Sequence, residues 1–276
     1  MKVIDGKAIA EKIKQGVREK VEKLDKKPCL ACIIVEGNSA SEVYVASKEK
    51  ACKSVGMDSK IVRLPNDITQ NSLHEVIDEL NNDDSVSGIL LQLPLPKGLD
   101  DVVATNRISP KKDVDCLTFE NLGALISGRH IIAPCTATGV MKILEDEKVE
   151  LSGKRAVVIG RSLLVGKSVA NLLEQKNSTV TICHSKTKNL EEICKSADIL
   201  VVAIGKAKFV DKNFVKDGAV VIDVGINRTE EGIVGDVDFE SVKEVAGYIT
   251  PVPGGVGPLT VACLMENTYI LHQKTN

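Results

Sequence analysis

Apolar positions in the first half of the chain switch repeatedly between two periods. Ile9, Ile13, Val17 and Val21 recur every four residues, the spacing of an amphipathic helix. The run LACIIV at 30–35 is short, continuous and apolar, as in a strand covered on both faces. Residues 39–55 return to helical spacing, KIVRL at 60–64 reads as a strand, and Leu73, Val76, Ile77 and Leu80 mark another helix. Thr69 or Asn71 is suited to cap that helix by accepting from its free N–H groups. GILLQL at 88–93 is a further strand, halted by Pro94-Leu95-Pro96. Strand and helix alternating at this rhythm predict an α/β layer around a parallel sheet. From Pro94 to Pro134 the pattern lapses into a loop-rich stretch that holds the run KKDVDC at 111–116. A helix is expected over 138–147, starting at Thr138, and ELSGK at 150–154 reads as a linker.

The second half reads as a second unit, and the chain shows no internal repeat. RAVVIG (155–160) turns through RSLLVG (161–166) into a helix carrying Val169, Leu172 and Leu173. TVTIC (179–183), ADILVVAIG (197–205), GAVVIDVG (218–225) and AGYIT (246–250) follow as short buried-type strands. This layout predicts a doubly wound, Rossmann-type dinucleotide-binding domain. After PVPGGVGP (251–258) the chain closes on the helical pattern LTVACLMENTYILHQ. The expected fold class is thus α/β with two domains, one over 1–138 joined by the C-terminal helix 259–276, the other over 139–258.

Composition narrows the field. The 276 residues carry 36 basic and 38 acidic side chains, a net charge of −2, so no charge excess points to nucleic acid or an anionic membrane. Aromatics make up 3% with no tryptophan, which disfavours base-stacking platforms. The start MKVIDGKAIAEKIK lacks the apolar core of a signal peptide, and no apolar run reaches a membrane span, so a cytoplasmic location is expected. Cys29 and Cys32 form a C-x-x-C inside a strand, where residues three apart face opposite sides, which argues against a shared redox or metal role. The histidines at 74, 130, 184 and 272 show no ligand spacing, and no metal site is expected.

A strand ending in glycine and turning tightly into a helix can seat a pyrophosphate on the helix N-terminus. The turn here is Gly160-Arg161-Ser162-Leu163-Leu164-Val165-Gly166, with glycines six apart. That departs from G-x-G-x-x-G, so an ordinary βα turn stands beside the nucleotide reading. At the end of the next strand an NAD site carries an acid for the ribose 2′-hydroxyl. The chain has Cys183-His184-Ser185-Lys186-Thr187-Lys188 instead. Hydroxyl and cationic donors, with Arg161 in the first turn, suit a 2′-phosphate and favour NADP over NAD. The alternative is that these are solvated loop charges.

The first half offers the chemistry. In GNSASEVYVASKEK (37–50), helical spacing puts Tyr44 and Lys48 on one face with Ala51 and Val55, while Lys50 and Lys53 fall on another stripe. A lysine on an apolar stripe can snorkel, or it can serve catalysis. Gln92 stands at a strand end, where open α/β sheets hold ligands. Asp113 and Asp115 flank a valine and can equally make turn hydrogen bonds. The Pro251–Pro258 segment can bring its backbone close to a ligand, or act as a stiff linker.

Taken together, GNSASEVYVASKEKA, GILLQLPLP, KDVD, PCT, AVVIGRS-x-x-VG, TVTICHSKT, GAVVIDVGINR, GDVDF and TPVPGGVGPLT, in this order, make the chain similar to the bifunctional methylenetetrahydrofolate dehydrogenase/cyclohydrolase family. The resemblance implies an enzyme of one-carbon metabolism, feeding purine biosynthesis, that oxidises 5,10-methylenetetrahydrofolate with NADP and hydrolyses the methenyl product to 10-formyltetrahydrofolate. It implies a catalytic domain and an NADP domain with the active site in the cleft between them, and a homodimer. Carried over by motif, Lys48 is the catalytic lysine, Tyr44 frames the folate, Gln92 bonds and tunes the lysine, and Asp115 anchors the pterin. Pro253, Gly254, Gly255 and Pro258 line the folate site, and Gly160, Arg161, Ser162, Gly166, Ser185 and Ile226 bind NADP. Burial and a cationic intermediate would disfavour the charged form of Lys48, leaving an amine able to activate water. The chain departs from the family pattern at Cys116 (commonly glycine), Ala137 and Ser168 (commonly proline) and Leu259 (commonly methionine). The nearest rival is a shikimate-dehydrogenase-like NADP oxidoreductase with no hydrolytic step; a non-catalytic NADP sensor is the other.

Overall fold

The computed structural model describes residues 1–36, 39–230 and 232–275, with side chains of the second helix described from Ser47 onward. The chain begins with β1 (Lys2–Val3), α1 (Gly6–Val21), β2 (Cys29–Val35), α2 (Ser39–Ser54), β3 (Asp58–Leu64), α3 (Gln70–Asn82) and β4 (Gly88–Leu91). It continues with α4 (Asp101–Arg107), α5 (Phe119–Ile126), α6 (Cys135–Asp146), β5 (Arg155–Ile159), α7 (Ser168–Gln175), β6 (Thr179–Cys183), α8 (Leu190–Lys195) and β7 (Ile199–Val202). Last come β8 (Val220–Asp223), β9 (Asn227–Thr229), β10 (Gly232–Val234), α9 (Phe239–Val242), β11 (Tyr248–Ile249) and α10 (Val256–Thr275). Two compact units result: Met1–Glu11 with Thr136–Thr260, and Lys12–Cys135 with the chain from Val261 onward.

The second of these units is built on a parallel sheet of order β3-β2-β4. Its central strand β2 is buried almost throughout, because helices cover both faces. Period 2 then sorts its side chains. Leu30 and Cys32 pack with Val17 and Val21 of α1, Cys52 and Val55 of α2, and Cys263 and Leu264 of α10. Ala31, Ile33 and Val35 pack with Leu73, Ile77 and Leu80 of α3. The same period puts Cys29 and Cys32 on opposite faces, and all eight cysteines are free. Thr69 is the N-cap of α3, its Oγ1 accepting from the Ser72 amide at 3.1 Å. At the other end, buried Lys112 donates to the carbonyls of Leu80 (3.0 Å) and Asp83 (2.8 Å), a cation set on the negative helix end.

The stretch expected as loop contains α4 and α5. Asp100 caps α4 by accepting from Val102 and Val103 N–H, both at 2.9 Å, and Thr118 caps α5. Both helices are too short to show a periodic apolar stripe. Helix α6 starts at Cys135, three residues before the expected Thr138.

The other unit holds a six-stranded parallel sheet of order β1-β11-β8-β7-β5-β6. From β5 onward the order is 2-1-3-4-5, the doubly wound arrangement. Its core joins Val157, Ile159, Leu200, Val202 and Val221 to helix and loop residues such as Cys194 and Phe214. The N-terminus goes with this unit rather than with the expected first domain, because β1 pairs with β11 at Lys2↔Tyr248 and Val3↔Ile249. A two-residue strand has no periodicity to read; it satisfies the open backbone groups of a sheet edge. No helix of the described residues is long and apolar enough to cross a membrane.

His272 of α10 is buried, shares a 2.9 Å hydrogen bond with Ser87 Oγ, and has its pKa lowered by burial. The folded state therefore resists protonation more than the unfolded chain, whose histidine titrates near pH 6.5. Its contribution is present above that pH and is lost as pH falls through the lower folded value. In thermal melts between about pH 7 and about pH 5 the wild type should lose more stability than His272→Gln, after correction for the variant's own offset. Parallel pH profiles for the two proteins would refute this.

Candidate active site

Strands buried on both faces leave only their ends for polar groups, and the two sheets each carry candidates there. In the six-stranded sheet the chain leaves β5 at Gly160, where φ is +125°. A Cβ at this position would lie 2.2 Å from the Ala203 carbonyl oxygen at the end of neighbouring β7, so only glycine fits. Gly166 is equally confined, its would-be Cβ 2.2 Å from Gly160 O. The six-residue glycine spacing thus lets the turn fold back on itself. Ser162 caps the turn, its Oγ accepting from Val165 N–H at 3.3 Å, and a π-helical turn over Leu163–Lys167 leads into α7. Ser168 uses its hydroxyl to donate to Leu163 O at 2.5 Å.

Beside this turn lies a crevice of about 300 Å³ at the C-terminal ends of β5, β6 and β7. Gly160 and Arg161 line it from the first turn, His184 and Ser185 from the end of β6, and Ala203, Ile204, Lys206 and Phe209 from the end of β7. This is the topological switch point, where successive strands depart to opposite sides. Among the described residues lining it none is acidic. Cationic and hydroxyl donors, together with a backbone that no Cβ obstructs, fit a phosphorylated dinucleotide. Of the expected cofactor residues, Gly160, Arg161 and Ser185 meet here, while Ser162 and Gly166 shape the turn. Ile226 is 49% exposed and sits beside Gly257, apart from the crevice lining. Lys206 and Phe209 escaped sequence reading, although they follow the end of the strand ADILVVAIG; the Lys206 ammonium stands 5.2 Å from the Phe209 ring centre.

In the other unit, half-buried Lys48 of α2 donates from Nζ to Gln92 Oε1 at 2.7 Å. Gln92 directly follows β4; its backbone N–H donates to Ile33 O at 2.9 Å and its Nε2 to Leu93 O at 2.8 Å. With its amide so oriented, the side-chain oxygen is presented to the lysine. Lys50 is exposed, and Lys53 pairs at the surface with Glu49 at 2.8 Å. Tyr44 lies one turn before Lys48 on α2; its side chain falls outside the described residues.

The two aspartates of the D-V-D run have different surroundings. Asp113, 2% exposed, accepts from the amides of Leu117 (3.2 Å) and Thr118 (2.8 Å) and from Asn121 Nδ2 (2.9 Å), so it holds the turn. Asp115 is half-buried; burial pushes its carboxyl above the ordinary range, while the Cys135 thiol and amide and the Lys48 charge oppose that shift. Cys135 is buried, and burial next to Asp115 pushes its thiol well up. Asn267 of α10 braces the same corner, donating to Val114 O at 2.9 Å and Ala133 O at 3.0 Å. Cys116 occupies the left-handed region at φ +57°, a conformation that favours glycine. The strain of about 1 kcal/mol is offset by full burial of its side chain, whose thiol donates to Ile132 O at 3.4 Å. Pro253, Gly254, Gly255 and Pro258 belong to the unit that holds the crevice; a Cβ at Gly255 would lie 2.6 Å from Pro251 O, and Pro258 stands in the first turn of α10. Among the described residues no group of His, Cys, Asp and Glu could hold a metal ion.

Comparison with known proteins also divides the chain near residue 135, although the family bounds leave residues 4–11 and 261–276 on the other side of the division from the structural units. The family description "Tetrahydrofolate dehydrogenase/cyclohydrolase, catalytic domain" matches residues 4–115, and "Tetrahydrofolate dehydrogenase/cyclohydrolase, NAD(P)-binding domain" matches residues 134–276. A bifunctional protein FolD of Campylobacter concisus is 52% identical over 99% of this chain and 98% of its own length. The crystal structure of the bifunctional FolD of Campylobacter jejuni superposes with a TM-score of 0.98 at 46% identity, covering 99% of both chains. The Trypanosoma brucei dehydrogenase-cyclohydrolase, solved with NADP and an inhibitor, gives 0.94 at 40% identity, over 99% of this chain and 97% of that one. A shikimate dehydrogenase of Aquifex aeolicus, by contrast, shares only the fold, with a TM-score of 0.53 at 13% identity over 91% of this chain and 98% of that one. Matched by both family models and by relatives of its full length, the chain belongs to the tetrahydrofolate dehydrogenase/cyclohydrolase family.

Proposed function

We propose that Lys48, Gln92 and Asp115 carry the folate chemistry and that the crevice at Gly160 and Arg161 receives the cofactor. The protein is a bifunctional enzyme: it oxidises 5,10-methylenetetrahydrofolate with NADP and hydrolyses the resulting methenyl compound to 10-formyltetrahydrofolate. The observation that carries the residue assignment is the 2.7 Å bond from Lys48 Nζ to Gln92 Oε1, at the end of β4, the strand whose Ile89 bridges to Asp113, two residues before Asp115.

NADP, when bound, supplies the acceptor for the hydride that leaves the methylene carbon. Asp115 accepts two hydrogen bonds from the amino-pyrimidine edge of the pterin, a charge-assisted pairing that fixes the ring. Gln92 holds the Lys48 amine by its side-chain oxygen. Held by that bond at the strand end, the Lys48 amine is placed to take a proton from the attacking water. A C–O bond forms to the methenyl carbon; the hydroxyl proton then leaves to solvent as C=O forms, and a C–N bond to the same carbon breaks, its nitrogen taking the electron pair and the proton that Lys48 carries. Tyr44 frames the folate from the preceding turn of α2, and Pro253, Gly254, Gly255 and Pro258 contribute backbone to the folate site. Arg161, Ser185 and the absence of an acid from the crevice lining favour a 2′-phosphate. Ser162 and Gly166 hold the phosphate turn, and the exposed Ile226, outside the crevice lining, would give an apolar contact to a part of the cofactor that extends beyond it. We assign the folate chemistry to 12–138 with 259–276, and cofactor binding to 139–258 with the N-terminal strand that joins its sheet.

We further propose a homodimer, for which the half-exposed edge strand β6 offers an unpaired ladder. A cytoplasmic location is in keeping with eight free cysteines.

One coupled assay tests the chemistry, following methenyl formation and decay with each cofactor. With NADP, kcat/KM should exceed that with NAD by about tenfold or more, and equal or better turnover with NAD would sink the preference. Lys48→Met should lower methenyl hydrolysis by at least about a hundredfold while folate still binds; unchanged hydrolysis refutes the role, and Lys50→Met is the control. Sedimentation at micromolar concentration should give twice the chain mass, and a monomer would refute the dimer. Recovery of the chain outside the soluble cytoplasmic fraction of its cells would refute the location.

A further inference from the structure

Behind the cofactor crevice lies a pair of buried carboxylates that neither reaction uses. Asp236 is 0% exposed and Asp223 is 3% exposed. Asp236 Oδ2 accepts from the amides of Ile204 (2.7 Å) and Gly205 (2.9 Å), and its Oδ1 from the amide of Lys206 (2.8 Å) and from Asn227 Nδ2 (2.9 Å). Three successive backbone N–H groups therefore close around one anion, a nest whose ligand is the protein's own side chain. The nest is the first turn of the loop after β7, and two of its residues, Ile204 and Lys206, line the crevice. Gly205 takes φ +66° to complete it.

Asp223, the last residue of β8, holds Asp236 in place. Its carboxylate accepts from the amides of Gly225 (2.9 Å), Asp236 (3.0 Å) and Val237 (2.9 Å). Burial pushes the Asp223 carboxyl up to about 6, and the neighbouring Asp236 adds to the shift. Space is confined as well. A Cβ at Gly235 would lie 1.8 Å from Asp223 Oδ2, and one at Gly225 would lie 2.2 Å from the Asp236 carboxyl carbon. Two buried anions side by side are costly, and a tie of this kind through neutral side chains would avoid the cost. What they provide is direction: charge-assisted bonds to successive amides leave the loop one conformation.

We infer that Asp236 is a positioning residue for cofactor binding, holding the Ile204–Lys206 loop as a preformed wall of the crevice, with Asp223 as its support. The inference rests on the reading of that crevice as the NADP site. Asp236→Asn keeps the size of the side chain but turns one acceptor oxygen into a donor facing N–H groups. In the ligand-free variant the amides of Ile204, Gly205 and Lys206 should exchange hydrogen about tenfold faster or more, and the Kd for NADPH, read by its fluorescence, should rise about tenfold. Methenyl hydrolysis, which consumes no NADP, should stay within about twofold, showing that the folate unit is intact. Should Asp236→Asn fail to fold, Gly205→Pro provides the second arm. It deletes one donor and excludes φ +66° at an exposed loop position, so it should raise both exchange and Kd. Unchanged exchange, or a Kd within about twofold of wild type despite faster exchange, overturns the inference. Absence of NADPH binding by the wild-type chain overturns the cofactor reading itself, and this inference with it.

Discussion

A parallel strand covered on both faces can place reactive polar groups only at its ends, and the chemistry of this protein follows from that constraint. β7 is buried from end to end and β2 from Leu30 onward, so neither can carry an exposed donor along that length. Gln92 comes one residue after β4, and Gly160 one residue after β5. Both stand on the C-terminal side of a parallel sheet, where helix N-termini and open loops converge. Glycine is needed at 160 for the same reason. Two strand ends approach so closely that the Ala203 carbonyl occupies the place of a side chain.

Buried charges divide into two groups by what they bind. Lys112, Asp113 and Asp236 are each consumed by fixed partners: helix carbonyls for the lysine, loop amides and one asparagine side chain for each aspartate. Such groups are fully spoken for and fix the chain's path. Lys48 and Asp115 differ. Each is half-buried and bonded on one side only among the contacts seen, Lys48 to Gln92 and Asp115 to Cys135. Partial solvent access with unused bonding capacity is what a group needs if it is to meet a substrate.

The D-V-D run shows where reading a linear chain stops. Its two aspartates are equivalent in sequence, both acids in one loop. Only the fold turns Asp113 inward to Thr118 and Asn121 and leaves Asp115 beside Lys48. Asp236 gave still less signal, as one acid in GDVDF among many charged loops. Its partners Ile204–Lys206 lie about thirty residues away. Short helices α4 and α5 were hidden for a related reason: one or two turns carry too few apolar positions to show a period.

The sequence by itself determined what depends on neighbours along the chain. Periodicity marked the long helices and the buried strands, glycine and proline marked the turns, and the ordered motifs disclosed the family. Tertiary structure alone decided which polar groups meet. A hydrogen bond forms or fails within a few tenths of an ångström of 3 Å, whereas Lys48 and Gln92 stand 44 residues apart. Nothing in local spacing encodes that distance. It is set by how α2 packs against β2 and β3 beside β4, and so by packing of the core beneath them.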